Sequence, residues 1–131
     1  MEKLQESLRK VLNCFHDIKL CIVFGSAASG KPSPGSDLDI AVAGERFLTG
    51  EKCLELIEAF SEATHREIDL IDLTQATGLI LKKALTTGIV VQNHDKNLYA
   101  RLISRMLFNE ADMMPYFHRT LRERRKRFLN G

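Results

Sequence analysis

The feature that most restricts the fold is a pair of short strand-like segments separated by a turn-rich stretch. Residues 18–24 form a mostly apolar run, typical of a buried strand, that stops at Gly25-Ser26. Two glycines and two prolines follow within residues 27–36, which predicts a loop. Residues 37–42, Asp-Leu-Asp-Ile-Ala-Val, predict a second strand. The sequence therefore predicts two strands joined by a loop.

The rest of the chain alternates between helical and strand-like patterns. In chain order, we predict a helix over 2–15 and then the two strands. They are followed by a helix over 50–63 that is capped by Thr49, a strand over 67–73, and a helix over 75–85 that is capped by Thr74 and ends near Gly88. The last predicted elements are a strand over 89–92 and a helical pattern over 96–128 that is interrupted at Pro115. The inward positions predicted for the second helix are Cys53, Leu54, Leu56, Ile57 and Phe60. The predicted fold class is α/β (α+β), a small mixed sheet of about four strands with helices packed on it.

Length and composition exclude several other classes of protein. A chain of 131 residues with 44% hydrophobic and 27% charged residues is expected to form one domain with its own core, not a collagen-like, disordered or coiled-coil structure. Three cysteines without a C-x-x-C spacing argue against a disulfide framework or a zinc ribbon and favour a reducing cytoplasm, with Cys21 and Cys53 buried. The charged first ten residues predict no signal peptide, and no apolar run approaches ~18 residues, so we expect no membrane segment.

Basic residues are concentrated at the carboxyl end of the chain. Residues 117–131 carry a net charge of +5, whereas the rest of the chain carries −3. Such a tail suits an acidic partner, RNA or a phosphate-bearing ligand. It is equally consistent with the solvated end of a helix, where cations are favourable.

Three aspartates point to chemistry. Asp37 and Asp39 are two residues apart in a predicted strand, so their carboxylates project from the same face. Asp69 lies in a third predicted strand and joins them if that strand is adjacent, whereas Asp72 faces the opposite way. Clustered carboxylates need a neutralising cation, and their oxygens suit Mg²⁺ or Mn²⁺. Three of them could hold two metal ions about 4 Å apart.

Gly25 and Ser26 are candidates for binding phosphate next to this cluster. A glycine directly after a buried strand allows close backbone approach, and free N–H groups with the Ser26 hydroxyl favour phosphate, with Lys31 in the following loop as a further charge. Each feature has a simpler explanation, since Asp-x-Asp commonly caps or solvates a loop and Gly-Ser commonly forms a turn. Their conjunction at this spacing favours a site.

The run Phe24-Gly25-Ser26, ten residues, and Asp37-Leu38-Asp39 resembles the signature of the DNA polymerase β-like nucleotidyltransferase superfamily. The length resembles its minimal nucleotidyltransferase branch, and residues 67–73 resemble the strand of the third carboxylate, with Asp69 at the matching position. The resemblance runs from about Leu4 to the basic end. It implies a catalytic core over residues 1–95 and a C-terminal helical extension with a basic tail over 96–131, within one domain of the polymerase β-like fold.

The resemblance also implies an activity. Members transfer a nucleoside monophosphate from a nucleoside triphosphate, such as AMP from ATP, with two Mg²⁺ ions and release of pyrophosphate. Minimal members pair as antitoxins with HEPN-domain toxins and resemble enzymes that add AMP to a toxin tyrosine. By this resemblance Asp37 and Asp39 would bind both metals. Asp69 would bind the catalytic metal and help to deprotonate the acceptor. The candidate nucleotide-binding residues are Gly25, Ser26 and Ser36.

The sequence departs from the family pattern in one position and leaves the acceptor open. Ser29 stands where many relatives have a basic residue, and Lys31 is the candidate to supply that charge. The chain is too short for an extra substrate domain, so a partner protein or a second copy would present the acceptor. The alternatives are a nucleotide-binding antitoxin that acts by occlusion, and an enzyme that acts on RNA or a small molecule.

Overall fold

The computed structural model describes residues 2–25, 28 and 37–108. The elements are α1 (Glu2–Leu12), β1 (Ile18–Phe24), β2 (Leu38–Gly44), α2 (Gly50–Thr64), β3 (Ile68–Asp72), α3 (Gly78–Thr87), β4 (Ile89–Asn93) and a final helix, α4, over 96–108. None of the helices in this part of the chain has the length and apolar character needed to cross a membrane. The predictions for Pro115 and the basic tail, and that for the loop over 27–36 except at residue 28, lie outside the described residues.

The four strands form one mixed sheet in the order β3-β2-β1-β4. β1 is antiparallel to both β2 and β4, whereas β2 and β3 are parallel. A parallel pair needs a crossover connection, and α2 supplies it between β2 and β3. The predicted fold class, a small mixed sheet of four strands with helices packed on it, is confirmed.

Each face of the sheet is covered by its own hydrophobic cluster. The first cluster includes Leu8 of α1 and Phe60 of α2, and the second includes Leu81 of α3 and Leu102 of α4. Residues along β2 alternate between them, with Ile40 and Val42 in the first cluster, and with Ala41 and Ala43 in the second. The face of β2 that carries Asp39 is therefore buried over most of its length, and it is polar only near Asp39.

Several predicted boundaries shift by a few residues. β1 has the predicted bounds, and Thr49 caps α2 as predicted, with its side chain accepting a hydrogen bond from the Lys52 N–H. α1 ends at Leu12, not at residue 15, because the Cys14 and Phe15 amides bond to carbonyls three residues back and tighten the chain into a turn. Leu54 was predicted to face inward and is 63% exposed, so the buried stripe of α2 is narrower than its apolar residues suggest.

The cysteines take three different environments. Cys21 is fully buried in β1, and burial raises the pKa of its thiol to about 12, so it behaves as an inert apolar side chain. Cys53 is only half-buried, in contrast to the prediction, and Cys14 is exposed. All three are free thiols.

The turn between β3 and α3 is organised by Asp72. Its Oδ1 accepts hydrogen bonds from the Thr74 N–H at 3.0 Å and from the Thr74 hydroxyl at 2.6 Å. Its Oδ2 accepts from the Leu48 N–H at 2.9 Å and from the Gln75 Nε2 at 3.2 Å. The Thr74 side chain therefore bonds to Asp72 and does not cap a helix. α3 begins at Gly78, three residues later than predicted.

Arg105 of α4 holds the same turn from its other side. Its guanidinium donates to the carbonyls of Leu73 at 2.6 Å, Thr74 at 3.1 Å and Ala76 at 2.8 Å. A guanidinium with several donors in a fixed fork can bind carbonyls that would otherwise be left without partners. Arg105 thus ties α4 to the end of β3.

We expect Asp72→Ala to lower the free energy of unfolding by about 2 kcal/mol, because it removes a charged acceptor that serves four donors. Urea denaturation followed by circular dichroism measures this loss. Glu58→Ala, an exposed substitution on α2, is the control and is expected to change stability by less than about 0.5 kcal/mol. Equal stability of the two variants would contradict the role given to Asp72.

Candidate active site

Two carboxylates lie side by side where the parallel strands begin. Asp39 is the second residue of β2 and pairs in register with Asp69, the second residue of β3. Both project from the face of the second cluster, because Ile40 and its partner Leu70 contact the first. Asp72 pairs with Val42 and faces the opposite way, as the alternation predicts. The register therefore brings Asp39 and Asp69 together and leaves Asp72 out.

Asp39 is the residue whose ionisation is most strongly affected by this arrangement. Burial raises the pKa of the Asp39 carboxyl above its usual value, and the neighbouring charge of Asp69, a side-chain hydrogen bond to Asp69 and the charge of Asp37 raise it further, while Lys83 opposes them. Asp39 is half-buried, whereas Asp37 and Asp69 are exposed. Two carboxyl groups that face each other across neighbouring strands need a shared proton or a bound cation.

Asp37 lies directly before β2 and acts on Asp39 through its charge. Within residues 2–25, 28 and 37–108, no three acidic, histidine or cysteine side chains already converge as a metal-binding group. The structure thus brings two of the three predicted carboxylates together, and Asp37 acts on Asp39 through its charge from the position before β2. The oxygen donors of Asp39 and Asp69, which are paired in register on one face, fit a hard divalent ion such as Mg²⁺.

Gly25 lies directly against the Asp39 carboxylate. It follows Phe24, which pairs with Asp39 across β1 and β2, and its φ is +75°. A Cβ at this position would collide with the Asp39 carboxylate, whose Cγ lies 3.2 Å from the Cβ position. The Gly25 carbonyl accepts a hydrogen bond from the Ala28 N–H at 3.2 Å. Both the backbone conformation and the space therefore require glycine. Ser26, Ser36 and Lys31 lie outside the described residues.

Lys83 is a residue that the sequence analysis missed. It lies on α3, and its positive charge acts on Asp39. The spacing of Leu81 and Ala84 shows which side of α3 is buried, but nothing in the sequence indicates which end of the sheet the helix covers. The effect of the Lys83 charge on Asp39 therefore depends on how α3 packs against the sheet.

The class of protein follows from the family to which the chain belongs. A family model described as "Polymerase beta, Nucleotidyltransferase" matches residues 6–97, and the chain belongs to this family.

Individual relatives carry more specific names. Over 92 residues the chain is 29% identical to the protein adenylyltransferase MntA of Shewanella oneidensis, and the alignment covers 67% of this chain and 65% of that relative. A toxin–antitoxin crystal structure with AMP-PNP has a TM-score of 0.73 at 22% identity, covering 89% of this chain and 98% of the other. A structure of tri-AMPylated Shewanella oneidensis HEPN toxin in complex with MNT antitoxin has a TM-score of 0.64 at 22% identity, covering 90% and 98%. At these identities the structures show the shared fold.

We expect Gly25→Ala to displace the Asp39 carboxylate, because the new methyl group would occupy its space at a left-handed backbone position. The strain is expected to lower the free energy of unfolding by about 1–2 kcal/mol. Denaturation measures this loss, and isothermal titration calorimetry with Mg²⁺ alone measures the change at the site. Gly78→Ala is the matched control, since Gly78 also has a positive φ of +63° but has no atom near its Cβ position. Equal Mg²⁺ binding by the two variants would contradict the steric role of Gly25.

We expect Asp39→Asn to raise the melting temperature of the metal-free protein at neutral pH by a few degrees, on the order of what 1 kcal/mol produces. A raised pKa means that the folded state binds this proton more tightly than the unfolded state. The corresponding stability is present below the ordinary value of 3.8 and is lost as the pH rises through the raised pKa. Thermal melts with a chelator at pH 3.5 and pH 7.5 should show the gain only at the higher pH. A gain of the same size at both values would rule out this explanation.

Proposed function

We propose that the chain is a Mg²⁺-dependent nucleotidyltransferase that transfers AMP from ATP to a hydroxyl group of a partner protein, as the antitoxin of a HEPN/MNT toxin–antitoxin pair. The observation that carries the proposal is the in-register pairing of Asp39 with Asp69 beside Gly25. The names of the relatives support the acceptor, since one is a protein adenylyltransferase and another structure contains an AMPylated HEPN toxin.

The proposed reaction is a displacement at the α-phosphorus. The acceptor oxygen forms a bond to this phosphorus, the bond from the α-phosphorus to the oxygen that bridges to the β-phosphorus breaks, and pyrophosphate leaves. In this proposal Asp69, which is exposed, accepts the proton of the incoming hydroxyl, whereas Asp39 is half-buried. Two Mg²⁺ ions held by Asp37, Asp39 and Asp69 would supply Lewis-acid activation and charge neutralisation.

The position of the carboxylates favours a macromolecular acceptor. They lie at the end of the sheet where β2 and β3 begin, and Asp37 and Asp69 are exposed. Two surface cavities, of about 540 and 500 Å³, lie between α1 and α2 and beside the end of β2, and neither is lined by these carboxylates. A hydroxyl carried on a partner protein can reach carboxylates that are exposed at this end of the sheet.

The expected result of Asp39→Asn is a loss of nucleotide transfer on the order of 1,000-fold or more, because the change removes a metal ligand at the reacting phosphate. The assay uses purified protein, Mg²⁺, each α-labelled nucleoside triphosphate in turn, and a purified HEPN-domain protein as acceptor. Label on the acceptor is counted after gel separation. Asp17→Asn is the matched control, since it makes the same chemical change at the opposite end of β1 and is expected to transfer as the wild type does.

The outcomes separate catalysis from occlusion. Label that depends on Asp39 supports the proposal. Absence of label with every nucleotide, together with equal neutralisation of the toxin by the wild type and by Asp39→Asn, would replace it with an antitoxin that acts by covering the toxin. Transfer by Asp39→Asn at the wild-type rate would exclude the proposed site.

A further inference from the structure

A groove of about 540 Å³ lies between α1 and α2, and most of the side chains that line it are apolar or small. It belongs to the face of the sheet covered by the first cluster, opposite the face from which Asp39 projects. Val11 and Phe15 line it from α1 and are only partly buried, whereas Ala59 and Ala63 line it from α2. The groove therefore has room for apolar side chains of a further segment.

The side of α2 that borders this groove is acidic. α2 carries four glutamates and one lysine, a net charge of −3. The glutamates stand at positions 51, 55, 58 and 62, a spacing that places them in one stripe of the helix, and all four are exposed. Lys52 forms ion pairs with Asp17 and Glu55, and the other three glutamates form none with residues that the structure describes. Like charges at this spacing repel each other, so the stripe favours a cationic segment bound against it.

The two sides of the groove differ in charge. Glu62 lines it from α2, and Lys10 lines it from α1. A basic segment in the groove is therefore expected to turn its cations towards α2 and its apolar side chains towards the space between the helices.

The basic end of the chain has the matching pattern. Residues 117–131 carry a net charge of +5, and their sequence predicts an amphipathic helix with an apolar stripe and a basic stripe. The apolar stripe is Phe117, Leu121 and Phe128, and the basic stripe is Arg122, Arg125 and Lys126. A helix of 15 residues is about 22 Å long, and α2 has the same number of residues.

The end of α4 and the start of α2 meet at the same end of β3. Arg105, in the last turn of α4, donates to the Leu73 carbonyl at 2.6 Å. The neighbouring Asp72 accepts from the amide of Leu48, which lies two residues before α2 begins. β3 is an edge strand, so the chain can pass round it from one face of the sheet to the other. Residues 109–116 span up to about 26–29 Å when extended, which is enough for this passage.

We propose that residues 117–131 bind in the groove between α1 and α2 of the same chain. Their apolar stripe fills the space beside Val11 and Phe15, and their basic stripe pairs with the glutamates of α2. A helix in an apolar groove is a common mode of recognition, and a tethered segment binds at a high effective concentration, so weak contacts suffice. The inference concerns the face opposite the proposed active site and does not depend on nucleotide transfer.

Cys14 is a natural probe of this contact, because it is an exposed free thiol that lines the groove. Alkylation of the 131-residue chain by iodoacetamide is followed by mass spectrometry of the peptide that contains Cys14. We expect Arg122→Gln/Arg125→Gln/Lys126→Gln to accelerate this alkylation about 3- to 30-fold, because three individually weak ion pairs that keep the groove covered are lost. Loss of nearby cations by itself lowers the thiolate fraction and slows the reaction, so acceleration reports uncovering of the thiol.

An exchange of charges tests whether the glutamates of α2 are the partners. Glu55→Lys/Glu58→Lys/Glu62→Lys is expected to expose Cys14 in the same way. Combining it with Arg122→Glu/Arg125→Glu/Lys126→Glu is expected to restore slow alkylation, because the ion pairs form again with their signs reversed.

Lys96→Gln/Arg101→Gln is the matched control, since it removes two exposed cations from α4 on the other face of the sheet and is expected to leave the rate at Cys14 unchanged. The buried Cys21 should remain unreactive in every variant, which shows that the fold is intact.

Slow alkylation of Cys14 that does not vary with protein concentration, and that is lost and restored as described, would support the proposal. Equal rates in the wild type and in the neutralised variant would overturn it. If the same three cations were instead required for RNA binding that weakens steeply with salt, the segment would be assigned to RNA. Protection of Cys14 that increases with protein concentration would replace the contact within one chain by a contact between two copies.

Discussion

The parallel pairing of β2 with β3 is the constraint on which the candidate site depends. It sets Asp39 opposite Asp69, and two like charges in this position are unfavourable unless a proton or a cation offsets them. The crossover helix α2 makes this pairing topologically accessible, and burial of Asp39 makes the repulsion stronger. The repulsion between Asp39 and Asp69 opposes folding, and the divalent cation and the nucleotide of the proposed reaction would offset it when bound.

The pairing of Asp39 with Asp69 is supported by a close steric contact at Gly25 and by hydrogen bonds at the end of β3. Gly25 keeps the space in front of Asp39 open, because any side chain there would occupy it. At the opposite end of β3, Asp72 and Arg105 satisfy the donors and carbonyls of the turn that leads into α3. Two aspartates three residues apart in one strand thus have different environments, one accepting four hydrogen bonds within the fold and the other exposed at the edge.

Similarity of fold extends further than similarity of sequence in this family. The chain superposes on a toxin–antitoxin structure with a TM-score of 0.73 at 22% identity. Such conservation of backbone is expected when two faces of one sheet are each covered by a hydrophobic cluster, since many apolar side chains of similar volume fill the same space. Residues outside these clusters are not subject to that constraint, so their roles have to be argued from this chain itself.

The sequence by itself determined the features that depend on local periodicity and local hydrogen bonding. These are the bounds of β1, the Thr49 cap of α2, and the opposite directions of Asp69 and Asp72 along one strand. Only the tertiary structure decided that β3 lies beside β2 and that Asp72 accepts a hydrogen bond from the Thr74 side chain, so that α3 starts later than predicted. Periodicity fixes where a side chain points relative to its own strand or helix. Strand order and helix placement arise from packing between residues distant in the chain, and no local pattern records them.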